Sequence, residues 1–124
     1  MSGFTERKIS IPVSGSSINL EGDLSGPSHP KGLIIFAHGS GSSRLSPRNP
    51  YVAERLQQIG LGTLLFDLLT EREADDRANV FDIPLLAERV EEAVRWARKE
   101  LKSLSVGVFG SSTGAAAEIG RAHV

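Results

Sequence analysis

The chain has 124 residues, of which 40% are hydrophobic and 23% are charged, with a formal net charge of -1. A chain of this length buries roughly two thirds of its surface, so we expect a single domain. The charge balance gives no electrostatic basis for binding nucleic acid or an anionic membrane. The absence of cysteine excludes disulfides and thiolate metal sites and suits a reducing cytoplasm. The polar N-terminal residues predict no signal peptide, and the apolar runs are too short to span a bilayer.

The first third of the chain is typical of β-strands. Residues 8–13 and 18–24 alternate between apolar and polar side chains on either side of the short sequence SGSS, which predicts an antiparallel hairpin. Residues 32–37, GLIIFA, are continuously apolar. That pattern indicates a strand buried on both faces, as in a parallel sheet that helices cover.

A helix is predicted next, over the sequence NPYVAERLQQIG. Asn49 is the expected N-cap, Pro50 the first helical residue and Gly60 the terminator. The apolar side chains expected on its buried face are those of Val52, Leu56 and Ile59.

The second half alternates strands with helical segments. Residues 61–69 predict a buried strand, and the charged residues 70–79 predict a surface loop, with the acidic stretch EREADD facing solvent. Residues 104–110 predict a third buried strand, and a further helix should begin within residues 112–122.

A long amphipathic helix is expected to begin at Asp82, with Glu91 and Arg95 as an i,i+4 pair on its wet side and Trp96 packed in the core. Its apolar positions are Leu86, Val90, Ala93, Val94, Ala97 and Leu101. Together, the elements predict an α/β domain with an N-terminal β-hairpin and a mostly parallel sheet.

The sequence Gly110-Ser111-Ser112-Thr113-Gly114 matches the pattern G-x-S-x-G between a predicted strand and a predicted helix. A tight strand-to-helix turn would present the hydroxyl of Ser112 at the carboxyl edge of the sheet, where open α/β folds place their sites. The backbone N–H of Thr113 could then stabilise an oxyanion. Ser111 is not the candidate, because it would point elsewhere.

The second oxyanion donor is expected in the loop after the third strand, within His38-Gly39-Ser40-Gly41. The N–H of Ser40 is the preferred donor and that of Gly41 the alternative.

Three stretches, FAHGSGSSRLSPRNPYVA, LLFDLLT and GVFGSSTGAAA, resemble the dienelactone hydrolase-like branch of the α/β-hydrolase family, in the family's order. The resemblance implies an α/β-hydrolase fold, no metal or organic cofactor, and His38 as a residue of loop structure. Dienelactone hydrolases carry cysteine at the elbow, so Ser112 favours a carboxylic ester hydrolase over a lactone hydrolase. Some relatives with the HGSGSSR loop are fused to a phosphoribosyltransferase domain, which no residue of this chain resembles.

The sequence leaves an alternative open. A glycine-rich strand-to-helix turn also occurs in nucleotide-binding domains and non-catalytic binding modules, although neither glycine loop here carries the P-loop lysine. Arg44 and Arg48 could hold a substrate carboxylate, but a structural or solvent-facing role is favoured. Asp67 ends a predicted strand and precedes the nucleophile, so a structural role is favoured over that of triad acid.

None of the three histidines is expected to be the base that activates Ser112. His29 lies in a proline-flanked loop, and His123 would lie about 16 Å from Ser112 along a helix. In the α/β-hydrolase order the acid and the histidine follow the nucleophile on later strands. We therefore expect this chain alone, a partial domain over residues 1–124, to be nearly inert.

The last six residues, IGRAHV, suggest a reason for such a partial domain. They are also the translation of a common sequencing-library adapter read through to its stop codon. We therefore hypothesise that residues 119–124 are not native sequence.

Overall fold

A computed structural model describes residues 4–37 and 48–110 of the chain. The strands are β1 (Phe4–Pro12), β2 (Asn19–Pro27), β3 (Leu33–Ala37), β4 (Gly62–Phe66) and β5 (Val106–Gly110). The helices are α1 (Arg48–Gln58), α2 (Glu71–Ala74), α3 (Arg77–Val80) and α4 (Ile83–Glu100).

The five strands form one sheet in the order β1-β2-β4-β3-β5. The hairpin of β1 and β2 is antiparallel, and β2 pairs antiparallel with β4. Strand β3 lies between β4 and β5 and is parallel to both. The predicted α/β fold, with an N-terminal hairpin and a mostly parallel sheet, is confirmed.

Helices cover the two faces of the sheet. Leu33 and Ile35 of β3 pack in the cluster that contains the buried face of α4, whereas Ile34 and Phe36 pack in the cluster that contains α1. This alternation follows from the two-residue period of a strand. It explains why residues 32–37 are apolar at every position after the glycine: both faces of β3 are covered.

Helix α4 begins as its sequence predicts. The carboxylate of Asp82 accepts a hydrogen bond of 3.1 Å from the N–H of Leu85, and Pro84 occupies the first turn. Trp96 packs against the core cluster, and Arg95 lies 3.9 Å from Glu91, both as predicted.

Helix α1 differs from its prediction at both ends. It begins at Arg48, so Asn49 lies inside the first turn and is not the N-cap. Pro50 is tolerated there because the N–H groups of a first turn have no acceptor within the helix. Ile59 is 62% exposed, contrary to prediction, because it lies beyond the last helical residue.

The predicted terminator, Gly60, is confirmed by a Schellman motif. Its φ of 99° is a conformation that favours glycine. The N–H of Leu61 donates to the carbonyl of Leu56 at 3.1 Å, and the N–H of Gly60 donates to that of Gln57 at 3.0 Å.

Two other predictions were wrong. Residues 70–79 are not a loop, because they form α2 and α3. Thr70 and Glu73 make a capping box that starts α2, and Asp76 caps α3 through the N–H of Ala78. Strand β5 is half-buried along its length and not fully buried, because it lies at one edge of the described sheet.

Candidate functional site

The carboxyl ends of the three parallel strands lie side by side. Ala37, the last residue of β3, is the register partner of Gly110, the last residue of β5. Phe36 is likewise the partner of Leu65, one residue before β4 ends. Neighbouring strands are about 4.8 Å apart. The segments that follow β3 and β5 therefore leave the sheet from adjacent points.

Of the predicted site residues, only Gly110 lies within the described part of the chain, where it ends β5. The predicted site residues that lie outside the described ranges are Ser112, Thr113, Gly114, His38, Gly39, Ser40 and Gly41.

His29 lies at the amino edge of the sheet, where the parallel strands begin, opposite the carboxyl edge. It is exposed and lines a cavity of about 660 Å³ together with Ser103 and Leu104, which precede β5. The five residues of β3 separate the two edges by about 13 Å. The prediction that His29 is not the base agrees with this position.

Arg89 of α4 is a buried charged residue near the carboxyl edge. Only 5% of it is exposed, and Glu73 accepts hydrogen bonds of 2.8 Å and 2.7 Å from its two Nη atoms. Nη1 also donates to the carbonyl oxygen of Leu68 at 3.1 Å. Leu68 lies two residues beyond the end of β4, so this pair attaches the segment after β4 to α4.

Glu73 makes several hydrogen bonds, although it lies in an acidic stretch that was predicted to face solvent. Besides the Arg89 bonds, its Oε1 accepts from the N–H of Thr70 at 3.0 Å, and its own N–H donates to Thr70 Oγ1 at 3.1 Å. The hydrogen bonds from Arg89, which outweigh the effect of burial, lower the pKa of Glu73 to about 2. Glu73 is therefore ionised throughout the physiological pH range, and the prediction that this acidic stretch simply faces solvent was wrong for it.

Glu92 holds the hairpin turn in a similar way. Its carboxylate accepts from the N–H of Ser14 at 2.9 Å and from Ser14 Oγ at 3.1 Å. Burial raises the pKa of Glu92, but the bonds from Ser14 and Arg95 outweigh it, so the net pKa is lowered. Because β2 runs antiparallel to β4, this turn also lies at the carboxyl edge.

Sequence reasoning missed these contacts. Thr70 and Glu73 have the T-x-x-E spacing of a capping box, which was a readable signal. The pairing of Glu73 with Arg89 joins residues sixteen apart, and no local pattern predicts it. Asp67 donates its N–H to the carbonyl of Glu21 at 3.0 Å, a backbone contact between neighbouring strands.

Two kinds of feature are absent from residues 4–37 and 48–110. No helix in these ranges is long and apolar enough to cross a membrane. The same residues contain no cluster of three or more histidine, cysteine, aspartate or glutamate side chains that could hold a metal ion.

Solved structures similar to this chain are hydrolases. The dienelactone hydrolase of Anabaena variabilis is 48% identical with a TM-score of 0.85, over 92% of this chain and 55% of that protein. An esterase of Pyrococcus furiosus has the same fold at 23% identity and a TM-score of 0.75, over 98% of this chain and 46% of the esterase. The chain has an α/β-hydrolase fold over the described residues and is similar in sequence to a member of the dienelactone hydrolase-like branch.

Two curated relatives carry a different name. They are proteins of Mycobacterium tuberculosis strains H37Rv and CDC 1551, provisionally named phosphoribosyl transferases, and are 50% identical over 111 residues. These residues are 88% of this chain and 25% of each relative, so the chain spans about a quarter of their length. No family model matches the chain.

Proposed function

We propose that this chain carries the nucleophile and the oxyanion donors of a serine hydrolase that acts on carboxylic ester or lactone bonds. Ser112 is the nucleophile, and the N–H groups of Thr113 and Ser40 are the donors. Gly110 and Gly114 allow the tight turn around the nucleophile, and His38, Gly39 and Gly41 shape the donor loop.

The pairing of Ala37 with Gly110 is the observation that supports this proposal most strongly. An oxyanion hole needs donors from two separate segments about 3 Å from one oxygen atom. Since β3 and β5 end in register as neighbours, the segments with Ser40 and Ser112 start about 4.8 Å apart. The similarity to a dienelactone hydrolase and to esterases supports the same chemistry.

The proposed reaction is a two-step acyl transfer. The Oγ of Ser112 bonds to the carbonyl carbon while its proton passes to a base, and the carbonyl oxygen becomes an oxyanion that accepts from Thr113 and Ser40. Collapse of this intermediate breaks the bond to the alcohol oxygen, which takes the proton. Water then attacks the acyl-enzyme, releasing the acid and restoring the hydroxyl.

The base and the acid of the triad are proposed to come from the remainder of a longer protein. His29 lies at the wrong edge of the sheet, as described above. The chain spans 55% of the dienelactone hydrolase, which leaves room for both groups. By analogy with serine proteases, a chain without the base would retain only a small residual rate, about 10⁶-fold lower in kcat.

A fluorophosphonate probe tests this proposal, because it bonds covalently to an activated serine and is not released by water. We expect phosphonylation at Ser112, located by mass spectrometry of peptides, at a slow rate. S112A should abolish the label, whereas the matched variant S111A should keep it. Labelling that is lost in S111A and kept in S112A would contradict the proposal.

We further propose that the phosphoribosyl transferase activity in the name of the M. tuberculosis relatives belongs to the three quarters of their sequence that this chain does not match. The matched quarter has a hydrolase fold in this chain, which supports a fusion of two activities. A relative from which the matched quarter is deleted should retain phosphoribosyl transfer. Loss of that transfer from a variant that still folds would contradict the fusion.

A further inference from the structure

A cavity of about 660 Å³ lies at the amino edge of the sheet, where the parallel strands begin. Arg7 of β1 and Leu24 of β2 line it, and as register partners they present their side chains on the same face of the sheet. Leu24 packs against the core cluster beneath α4, which places the cavity on the face that α4 covers. Residues 27–30 and residues 99–104 line it as well. Sites for small molecules commonly have volumes of about 300–1,000 Å³, so the size of this cavity suits such a ligand.

The floor of the cavity is apolar. Its leucines belong to the core cluster or pack against it, and two prolines add apolar surface beside them. A ligand with an apolar body would gain free energy by removing this surface from water. The apolar side chains that line the cavity, all of them buried or half-buried, are those of Leu24, Pro27, Pro30, Leu33, Leu101 and Leu104.

The mouth of the cavity is mostly positive. Arg7, Lys99 and Lys102 are exposed there, and Glu100 is the one carboxylate among the described residues that line it. Three cations and one anion give the mouth a net charge of +2, on a chain whose formal net charge is -1. His29 is also exposed at the mouth, where its ring can donate a hydrogen bond.

Within the part of the chain that the structure describes, the side chains of these three cations form no ion pair. Lys8, the next residue of β1 after Arg7, lies 3.1 Å from its register partner Asp23 and is paired. Lys99 and Lys102 are near the C-terminal end of α4, where positive charge interacts favourably with the helix dipole. Arg7 comes from a strand, so that explanation does not apply to it. Cations from two separate elements therefore meet at one opening without a protein carboxylate to pair with them.

We propose that this cavity binds a small amphipathic anion, such as a carboxylate on an unbranched apolar chain. The apolar chain lies against the floor, and the anionic group lies at the mouth beside Arg7, Lys99 and Lys102. An uncharged apolar ligand would leave the three cations without a counterion, and a small hydrophilic anion would leave the floor in contact with water. The proposal is independent of the proposed hydrolase function, because every residue that it uses lies at the opposite edge from the candidate site.

Titration of the full chain with octanoate tests the proposal, with backbone amide NMR spectra as the readout. Octanoate is ionised at pH 7, whereas octanamide has the same chain length without the charge, and acetate has the charge without the chain. We expect octanoate to shift the amide signals of Ser28, His29 and residues 101–104. Octanamide and acetate should each bind at least about tenfold more weakly, because each makes only one of the two kinds of contact. Added salt should also weaken the binding of octanoate.

The double variant R7Q/K102Q removes two cations from the mouth and keeps the apolar floor. Two exposed charge pairs together account for a factor of about five to ten in affinity, so the Kd for octanoate should rise by that factor. R55Q/R72Q is the matched control, because it changes the net charge equally at exposed positions outside the cavity, on α1 and α2. Its Kd should stay within about twofold of the wild type. Substitutions at exposed positions change stability little, and dispersed amide signals check that each variant is folded.

Three results would overturn the proposal. The first is an absence of shifts around the cavity at the highest soluble octanoate concentration, or shifts centred on another part of the chain. The second is equal affinity for octanoate and octanamide, which would show that the cations play no part. The third is an equal loss of affinity in R7Q/K102Q and R55Q/R72Q, which would mean that only the net charge of the chain matters. Labelling of Ser112 tests the hydrolase function separately.

Discussion

The two edges of the parallel strands differ in their buried charged side chains. At the amino edge, backbone groups bond to each other: the N–H of Lys31 donates to the carbonyl of Gly60, and that of Leu33 donates to the carbonyl of Ser105. At the carboxyl edge, the buried side chains of Arg89 and Glu92 hold two segments in place. The edge with the proposed chemistry is thus the edge fixed by buried charge.

This difference has a physical reason. Backbone bonds between tight turns need little side-chain specificity, and the side chains of Lys99 and Lys102, which line the cavity at that edge, are exposed. Segments that carry catalytic groups need defined positions, and side-chain hydrogen bonds to charged partners are directional and strong. The comparison predicts that substitutions at the two edges will act through different mechanisms.

The largest expected effect is that of R89A. Removing Arg89 takes away the hydrogen bonds that it donates to the carboxylate of Glu73, in a half-buried site, and to the carbonyl of Leu68. Breaking a buried pair in this way costs about 3–5 kcal/mol of the free energy of unfolding. Urea denaturation at pH 7 measures it, and E73Q/R89M should lose clearly less. Equal losses in the two variants would show that the unpaired charge is not the cause.

The pH dependence of the free energy of unfolding should reflect the same ion pair of Glu73 and Arg89. The pKa of Glu73 is lowered from 4.5 to about 2 in the folded chain, so its contribution is present above pH 4.5 and is lost as the pH falls through 2. The contribution is on the order of 3 kcal/mol at neutral pH. Denaturation of the wild type and E73Q between pH 2 and 7 measures it. The two curves should converge towards pH 2, and a constant difference would contradict the assignment.

At the amino edge, G26A should destabilise the fold by about 2 kcal/mol, through backbone geometry alone. Gly26 has a φ of 148°, and a Cβ atom there would lie 2.8 Å from the Cα of Gly62. Gly15 of the hairpin turn has a φ of 76° but nothing within 4 Å of such an atom, so G15A should cost about 1 kcal/mol. Thermal unfolding measures both, and a larger loss in G15A would refute the close approach of the two strands.

The smallest expected effect concerns the hairpin turn. S14A removes the hydroxyl that donates to Glu92 at 3.1 Å and should cost about 1 kcal/mol. Ser16 lies in the same turn, where its hydroxyl donates to the carbonyl of Val13 and accepts from the N–H of Ile18. Both bonds are exposed, so S16A should cost less than about 0.5 kcal/mol. Chemical denaturation of the two variants compares them. If S16A proved the more costly, Glu92 would not be the group that holds the turn.

The fold could largely be predicted from the sequence, because its signals are local. The period of two in the hairpin and the apolar run of residues 32–37 identified strands, and Asp82 marked the start of α4. The order of the strands in the sheet could not be predicted from local signals. Whether β3 lies between β4 and β5 depends on pairings between distant residues, which no local pattern contains.

The candidate site likewise combines a local sequence motif with contacts between distant residues. The spacing around Ser112 is a local motif and could be recognised in the sequence. The contacts of Arg89 arise only when α4 folds back over the sheet, because its partners lie sixteen and twenty-one residues away. The wrong prediction for residues 70–79 had another cause: charged composition was given more weight than the capping box of Thr70 and Glu73.

A crystal structure of the phosphonylated protein tests the central claim most directly, because the bound phosphonyl group imitates the tetrahedral intermediate. The account predicts phosphorus bonded to Ser112 Oγ, with one phosphonyl oxygen about 3 Å from the backbone nitrogens of both Thr113 and Ser40. A phosphonyl group on another residue would contradict the account. So would an oxygen that approaches neither nitrogen.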